Sequence, residues 1–465
     1  MTDTTTNLLT IPLLINGQEI HTPTTFPITS PLHKHPLLAL LLRNHPPRPR
    51  RRLSRLHRIP KLERLEENAG YMRTEMGADE GASAGFVVPL AIRMLRDVAG
   101  RIGGICGSVP IVEAEGQSAI VYKEAMGVIL GIVPWNAPYV FGIRSAACAL
   151  AAGNTTILKS SELTPRCYWA IGRAFEDAGL PAGCLNILHC RPEDAPEVVN
   201  VMIEHPAVRK INFTGSTAVG RKIARTCGQN LKPCLMELGG KNSSIVCADA
   251  KLDVAVQGVL AGAFLNSGQI CMATDRILVH SSIAAEFTTA LKQALATWTS
   301  SSTLPPTLVN TASKTRVQNL ISNALAAGAH FISGSADTNN PLPADAGVRM
   351  APSILGGVTE DMAVWQEEAF ASVAAFMEFE SEEEAVRMAN GSGYGLSASV
   401  FTEDLRRGFA LARKIQSGAV HINSMTIHDE PVLPHGGVKN SGWGRFNADE
   451  GLNEFLVTKS VTWMD

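Results

Sequence analysis

Apolar and polar positions alternate in blocks along the middle of this chain, and the blocks predict strands and helices in turn. Four short apolar runs predict buried parallel strands, over residues 126–133, 155–159, 184–189 and 210–213. Amphipathic or alanine-rich stretches between them predict helices over 136–152, 168–178 and 198–205. Strands that alternate with helices in this way predict a doubly wound α/β domain.

A second α/β unit is predicted after Glu237. Its strands are expected over 243–247, 277–280 and 419–423. Its helices are expected over 252–264, 284–297, 315–327, 383–389 and 405–415. A Ser/Thr/Pro-rich stretch at 299–306 is predicted to be a linker.

Shorter elements are predicted near the two ends of the chain. Leu13–Ile20 has the pattern of two strands around an Asn-Gly turn. Helical spacing begins at Leu62 and recurs over 86–101. The stretches Ser118–Lys123 and Phe455–Trp463 have strand patterns.

The stretch Pro31–Pro60 interrupts this pattern because it is rich in Pro, His and Arg. Proline removes a helix hydrogen bond, and a block of like charge repels itself and stays solvated. We expect no packed apolar face here. Three interpretations fit: a basic arm for an acidic partner, a disordered insert, or an error of gene annotation or reading frame that replaced native helices. We favour the third.

Composition narrows the class of protein. A chain of 465 residues is too long for one simple core, so two or three domains are expected. Apolar residues make up 45% and charged residues 18%, which is typical of a globular protein, and the net charge of −2 argues against a general nucleic-acid binder. No apolar run reaches a membrane-spanning length.

The cysteines and the first residues bear on the compartment. The nine cysteines are scattered without metal-ligand spacing, so no metal site is predicted, and a reducing compartment is favoured over a disulfide framework. Met1–Leu14 has no basic region ahead of its apolar residues, which argues against a signal peptide. We therefore expect a cytoplasmic protein without nucleic-acid or membrane partners.

The stretch with the most evident chemistry is Asn266–Thr274, where Cys271 follows a glycine and stands among small residues. Cysteine is the least handicapped of the common nucleophiles at its free pKa. The alternative is an inert buried thiol, which is the common state of cysteine.

Two further side chains could support a nucleophile. Asn136 can donate its side-chain amide to a negative oxygen, or it can cap the following helix. Glu237, which precedes Leu-Gly-Gly, can act as a general base, or it can be an ordinary surface or salt-bridged glutamate.

Two stretches have the character of a dinucleotide site. Gly215 and Gly220 bracket a predicted helix start after a strand, where free N–H groups and Ser216 can meet a pyrophosphate. Lys159 and Glu162 come just after another strand, at the edge where open α/β sheets bind ligands. A carboxylate near a ribose 2′-hydroxyl disfavours a 2′-phosphate, so NAD is expected rather than NADP. The alternative is an exposed pair on the surface.

Four motifs together, in this order and spacing, resemble the aldehyde dehydrogenase superfamily. They are Ile132–Pro138, Gly153–Glu162, Met236–Lys241 and Asn266–Thr274. The resemblance runs from about Leu62 to the end of the chain and is nearest to the aromatic-aldehyde members, of the salicylaldehyde and vanillin dehydrogenase type. It implies an α/β fold with a Rossmann-type NAD-binding domain, a catalytic α/β domain and a small oligomerisation sheet.

The resemblance also implies roles for single residues. Cys271 would be the nucleophile, Asn136 and the Cys271 N–H the oxyanion donors, and Glu237 the base that activates water. Cofactor contacts would come from residues in several motifs: Trp135, Lys159, Glu162, Gly215, Ser216, Gly220, Leu238, Glu368 and Phe370. Arg144 would lie near the substrate entrance, or else form a surface or interdomain salt bridge. Tyr139 and Met272 would contact substrate, or else belong to the core.

The motif around Glu368 departs from the family pattern, because Ala371 and Ser372 replace the usual Gly and Pro. If this turn requires a positive φ, Ala371 is strained and cofactor binding suffers.

The implied domain limits are 1–107 and 126–236 for NAD binding, 237–423 for catalysis, and 108–125 with 446–465 for oligomerisation as a homodimer or homotetramer. The predicted function is NAD-dependent oxidation of an aromatic aldehyde to its acid. The alternatives are an aliphatic aldehyde or semialdehyde as substrate, or a catalytically impaired relative with a binding role. A CoA-acylating enzyme is disfavoured because Glu237 is present to activate water.

Overall fold

The computed structural model describes residues 11–21, 64–300, 306–334 and 348–464. These residues form three β-sheets and the helices that cover the two larger sheets. The stretch 31–60 lies outside the described residues, and so do the interpretations offered for it.

The first sheet has eight strands in the order β16-β8-β7-β4-β5-β6-β1-β2. Its strands are β1 Leu13–Ile15, β2 Gln18–Ile20, β4 Val128–Ile132, β5 Thr155–Lys159, β6 Leu185–Leu188, β7 Val208–Thr214, β8 Cys234–Glu237 and β16 Gly442–Trp443. The five central strands are parallel, whereas the strands at the two edges pair antiparallel. Strands β7 and β4 are neighbours although two strands separate them in the chain, so the strand order reverses between them.

Helices cover both faces of the first sheet. They are α1 Leu65–Met76, α2 Val88–Arg101, α3 Pro138–Ala151, α4 Pro165–Asp177, α5 Ala195–Glu204 and α6 Thr217–Gln229, with a π-helical turn Gly81–Val87 before α2. Successive side chains of β4 point to opposite faces of the sheet: Ile129 packs with α1–α4, and Leu130 packs with α5 and α6. Helix α3 is buried along its whole length, as its alanine-rich sequence allows.

The second sheet has seven strands in the order β11-β12-β13-β10-β9-β14-β15. Its strands are β9 Asn242–Val246, β10 Thr274–His280, β11 His330–Ser333, β12 Ser353–Gly356, β13 Val373–Phe379, β14 Ser397–Phe401 and β15 Ala419–Ile422. All its pairs are parallel except β11 with β12.

Helices also cover both faces of this sheet. They are α7 Leu252–Phe264, α8 Ser281–Ser300, α9 Thr311–Ala326, α10 Ala363–Gln366, α11 Glu382–Asn390 and α12 Leu405–Lys414. Helices α7 and α8 pack with Ile277 and Phe376 on one face, whereas α9–α12 pack with Leu278 and Leu355 on the other.

The third sheet is an antiparallel ribbon of β3 Gln117–Ala125 and β17 Leu456–Met464. Its register pairs Ala125 with Leu456 and Gln117 with Met464. A last helix, α13 Ala448–Asn453, leads into β17.

The predicted α/β class is confirmed, and so are the opening hairpin and both strands of the ribbon. Strands β12, β13 and β14 were not predicted, and neither were β8, β11 and β16. The proposed domain limits remain a prediction.

No described helix is long and apolar enough to cross a membrane. No group of three or more His, Cys, Asp or Glu side chains in the described ranges could hold a metal ion. All nine cysteines are described, and each is a free thiol.

Candidate active site

The candidate site lies where the strand order of the first sheet reverses, between β4 and β7. The carboxyl ends of both strands open at the same edge, which is where open α/β sheets bind ligands. Trp135 and Asn136 follow β4, and Gly215 and Ser216 follow β7. The fold therefore brings two of the predicted motifs together.

Asn136 is buried and faces the nucleophile loop. Its side-chain amide donates a hydrogen bond to the carbonyl of Gln269, with 3.0 Å between Nδ2 and O. Helix α3 is preceded at its cap position by Ala137, so Asn136 does not cap this helix. The amide retains a second hydrogen for another acceptor.

The backbone before Cys271 is unusually bent. Asn266, Ser267 and Gly268 have φ of 50°, 60° and 69°, which is costly for the two residues with side chains. A Cβ on Gly268 would lie 2.2 Å from the carbonyl oxygen of Ala371, so only glycine fits there. The bend turns the chain toward the end of the first sheet and presents Cys271.

Two contacts from the second sheet hold the backbone of Cys271. The Asn242 side chain donates to the Cys271 carbonyl at 2.8 Å. Gly240 passes so close behind that a Cβ there would lie 2.4 Å from the same carbonyl oxygen. Among the described residues, no acceptor takes the backbone N–H of Cys271.

The thiol of Cys271 lies beside carboxylates. Burial raises the pKa of Cys271 well above its usual range, and the neighbouring Glu237 and Glu368 raise it further. The thiol is therefore protonated at neutral pH. Glu237 is 1% exposed, and within the described structure neither of its carboxylate oxygens has a hydrogen-bond partner.

A buried imidazole, that of His435, adjoins Glu237. His435 Nε2 lies 3.8 Å from Glu237 Oε1, and His435 Nδ1 lies 4.0 Å from Asp429 Oδ1. Asp429 forms a buried ion pair with Arg144 and accepts a hydrogen bond from Asn447. Burial would raise the pKa of Asp429, but Arg144, His435 and Asn447 hold it below its usual value.

Cys271 and Asn136 open into a cavity of about 500 Å³, including its opening to solvent. Its walls are apolar and partly aromatic, formed by Phe86, Leu90, Val140, Phe141, Ile270 and Met272. One edge is polar and consists of Arg144, Asp429 and His435. Arg144 is thus neither exposed nor remote: it is a buried ion-pair partner in the cavity wall.

Tyr139 does not contact this cavity, so its assignment as a substrate residue is wrong. It is fully buried in the core between α3 and its neighbours. The helical period explains this, because Val140 and Arg144 are four residues apart on the face toward Cys271, whereas Tyr139 points away. Met272, by contrast, does line the cavity.

The predicted phosphate-binding residues surround the start of α6. Ser216 is exposed and caps this helix, accepting from the N–H of Val219 at 3.4 Å. Gly220 packs on Leu238, because a Cβ there would lie 2.5 Å from a Leu238 methyl carbon. Gly215 connects β7 to the cap.

Lys159 and Glu162 lie at the end of β5, at the same edge of the sheet. Their charged groups are 3.9 Å apart, and Glu162 is the more exposed of the two. They therefore form a weak ion pair. The ribose contact proposed for them stays a prediction.

Glu368 lies on the second-sheet side of the opening. It accepts a hydrogen bond from the N–H of Gly240 at 3.0 Å, and burial raises its pKa to about 8. A Cβ on Gly239 would lie 2.4 Å from a Glu368 oxygen, so the carboxyl sits in a space that only glycine leaves open.

Phe370 meets the ring of Trp135 edge to face at 5.8 Å. Its φ is 50°, whereas Ala371 is not among the residues with positive φ. The condition for strain at Ala371 is therefore not met. The residue with left-handed backbone in this turn is Phe370, whereas Ala371 is buried and has no positive φ.

These residues fit a nicotinamide dinucleotide. A free helix N-terminus with an exposed cap offers N–H groups to a pyrophosphate. The largely protonated Glu368 carboxyl can donate a hydrogen bond to a ribose oxygen. The fit rests on this geometry alone.

Sequence reasoning missed His435 and Asp429. The sequence analysis singled out no residue of the stretch 424–445, which contains both. The sequence did contain one signal. His435 is a titratable side chain directly before Gly436 and Gly437, and glycines allow a loop to approach other parts of the chain closely.

The sequence pattern of the aldehyde dehydrogenase family matches residues 42–461, so the chain belongs to the aldehyde dehydrogenase family. It is an NAD(P)-dependent oxidoreductase that acts on aldehydes. The match begins within the stretch 31–60, earlier than the motifs alone indicated.

Individual relatives agree with this assignment. The chain is 39% identical to a vanillin dehydrogenase from Pseudomonas fluorescens, over 89% of this chain and 85% of the relative. It resembles the crystal structure of a salicylaldehyde dehydrogenase from Pseudomonas putida G7 in complex with salicylaldehyde, with a TM-score of 0.83, 34% identity and coverage of 90% and 86%. A succinate-semialdehyde dehydrogenase from Burkholderia pseudomallei has a TM-score of 0.89 at 29% identity, with 99% of both chains covered.

The pKa of Cys271 generates a prediction. Replacing Glu237 with Gln removes a negative charge beside the thiol, so the pKa of Cys271 should fall and iodoacetamide should label Cys271 faster at pH 7. Peptide mass spectrometry across pH measures this, with the exposed Cys106 as internal reference. Glu403→Gln, at an exposed carboxylate in the second sheet's half, is the control. Identical labelling profiles for Glu237→Gln and the control would contradict the coupling.

Proposed function

We propose that this chain oxidises aromatic aldehydes to carboxylic acids with NAD, through a thioester on Cys271. The observation that carries the proposal is the cavity in which Cys271 and Asn136 meet aromatic walls and the Arg144–Asp429 pair. Relatives named for vanillin and salicylaldehyde support the same substrate class.

In the first step the Cys271 thiol would lose its proton to solvent, and the thiolate would attack the aldehyde carbon to form a thiohemiacetal. The second hydrogen of the Asn136 amide and the Cys271 N–H would stabilise the negative oxygen. Donors fixed in advance supply the largest usual contribution to such catalysis. The support for this arrangement is the 3.0 Å bond to Gln269, which holds the amide beside the nucleophile loop.

Bound NAD would accept the hydride that leaves the thiohemiacetal carbon. Glu237 would then act as general base for the water that hydrolyses the thioester. Among the described residues no hydrogen-bond donor contacts either of its oxygens, which supports this role because both oxygens are open to a water molecule.

The polar edge of the cavity favours an aromatic ring that carries a hydroxyl group. Arg144 Nε is buried and has no hydrogen-bond partner among the described residues, so it can donate to a phenolic oxygen. A semialdehyde would instead need an uncompensated cation for its carboxylate. Arg144 does not provide one, because Asp429 neutralises its charge.

A catalytically impaired relative is disfavoured by the same geometry. Cys271, Asn136 and Glu237 lie together in one site, and the strain expected at Ala371 is absent. We also propose a homodimer or homotetramer, supported by the exposed apolar side chains of Val457, Val461 and Trp463 on the ribbon.

The substrate proposal predicts a ranking. Salicylaldehyde and vanillin should have a kcat/KM at least about tenfold above that of propanal or succinic semialdehyde. The reason is that only an aromatic ring with a hydroxyl group can contact both the aromatic walls and Arg144. NADH formation followed by absorbance measures this. Cys271→Ala should abolish turnover with every aldehyde, whereas Cys106→Ala should not. A preference for succinic semialdehyde would contradict the proposed substrate class.

The cofactor proposal has its own test. We propose that Glu162 disfavours the 2′-phosphate of NADP, so Glu162→Gln should raise the ratio of kcat/KM for NADP to that for NAD by about tenfold or more. Steady-state kinetics with both cofactors measure the ratio, and Glu403→Gln should leave it unchanged. A wild-type protein that already prefers NADP would overturn the assignment.

A further inference from the structure

We propose that His435, held by Asp429, takes the proton from Glu237 after thioester hydrolysis and so restores the general base. The inference rests on the proposed role of Glu237 and assigns His435 as a proton acceptor in the same reaction.

The carrying observation is a pair of buried side chains, His435 and Glu237, that face each other. His435 Nε2 lies 3.8 Å from Glu237 Oε1. Neither this nitrogen nor either oxygen of Glu237 has a hydrogen-bond partner within the described structure. Buried polar atoms are almost always paired, so two unpaired groups at this separation point to an exchange between them, directly or through one water.

Asp429 lies on the other side of the imidazole, with 4.0 Å between His435 Nδ1 and Asp429 Oδ1. A carboxylate beside Nδ1 favours the tautomer with hydrogen on Nδ1 and leaves the Nε2 lone pair toward Glu237. The same carboxylate stabilises the imidazolium that forms on proton transfer. Asp429 can stabilise the imidazolium because Arg144 and Asn447 keep its carboxylate ionised in its buried position.

The backbone of His435 is also fixed. Its N–H donates to the carbonyl of Phe446 at 2.9 Å, and its carbonyl accepts from the N–H of Phe446 at 2.8 Å. The ring is 9% exposed, so it has little freedom to turn away from Glu237.

The proton balance of the step is complete. Water's oxygen bonds to the thioester carbon, and one of its protons moves to Glu237. The carbon–sulfur bond breaks, which releases the carboxylic acid and the Cys271 thiolate, and the thiolate takes up a proton from solvent to return to its resting thiol. Glu237 passes its proton to His435 Nε2, and the imidazolium loses it to solvent through the cavity that His435 and Asp429 line.

Several charged or titratable groups face His435. They are Glu237 on β8, Asp429 on its own loop, Arg144 on α3 through Asp429, and His421 on β15. Burial lowers the pKa of His421 to about 4, so this neighbour stays neutral during turnover.

The test is stopped-flow and steady-state NADH formation with salicylaldehyde and NAD. In His435→Ala and His435→Gln the first turnover should keep its rate within about threefold, because acylation and hydride transfer precede hydrolysis. Steady-state turnover should fall about 100-fold, at the lower end of the usual range for a lost acid–base group.

Chemical rescue separates proton transfer from a structural role. Added imidazole should restore turnover of His435→Ala in proportion to its free base, but it should not affect His435→Gln, which leaves no space. His330→Ala, at an exposed histidine on β11, is the control.

Each outcome decides the question. Turnover of His435→Ala within twofold of wild type would overturn the inference, and so would an equal loss in first and later turnovers without imidazole rescue. If wild type and control oxidise aldehydes and only Glu237→Gln is impaired, the proposed function survives and this inference fails. If wild type forms no NADH with any aldehyde, the proposed function fails first.

Discussion

The hydrogen bond from Asn136 to the carbonyl of Gln269 connects the two halves of the site. Asn136 belongs to the loop after β4 of the first sheet, whereas Gln269 precedes Cys271 in the loop that leads into β10 of the second. Gln269 is itself fixed, since its side-chain amide donates to the carbonyls of Asn266 and Thr307 and accepts from Val309. These bonds stabilise the bent backbone at Asn266 and Ser267, which the residues would not adopt alone.

The electrostatics of the site follow from this packing. Cys271, Glu237, Glu368 and Asp429 lie in a small volume, and Arg144 compensates only Asp429 directly. Burial, together with the neighbouring carboxylates, keeps the thiol protonated and raises the pKa of Glu368 to about 8. A nucleophile in this state is protected until a substrate and its oxyanion donors favour the charged form. The excess of carboxylates means that a proton taken up by Glu237 needs a defined acceptor.

Much of the fold could be predicted because its central strands are continuous apolar runs. Thr155–Lys159 and Leu252–Phe264 were predicted at the residues where the structure has them. Strands β12 and β14 were missed because Ser-Ile-Leu-Gly and Ser-Ala-Ser-Val-Phe are short and rich in small polar residues. Strand β13 was missed because its two alanines weaken a strand pattern.

Within the site, local motifs placed Cys271, Asn136 and Glu237 near one another, but long-range packing placed the rest. His435 approaches Glu237 because the two-residue strand β16 pairs with β8, and a strand so short leaves no trace in the sequence. Tyr139 was misassigned for a related reason: proximity in sequence to Asn136 does not say which face of α3 a side chain occupies. Ala371 was misjudged because the left-handed position fell one residue earlier, at Phe370.

The central claim is that Cys271 carries the acyl group, and trapping that group tests it most directly. The Glu237→Gln variant would be mixed with salicylaldehyde and NAD, quenched in acid, digested and analysed by mass spectrometry. The account predicts one salicyloyl group per chain on the peptide that contains Cys271, and far less in wild type, where Glu237 hydrolyses the thioester. NADH formation without an acyl group on Cys271, or with the group on another residue, would contradict the account.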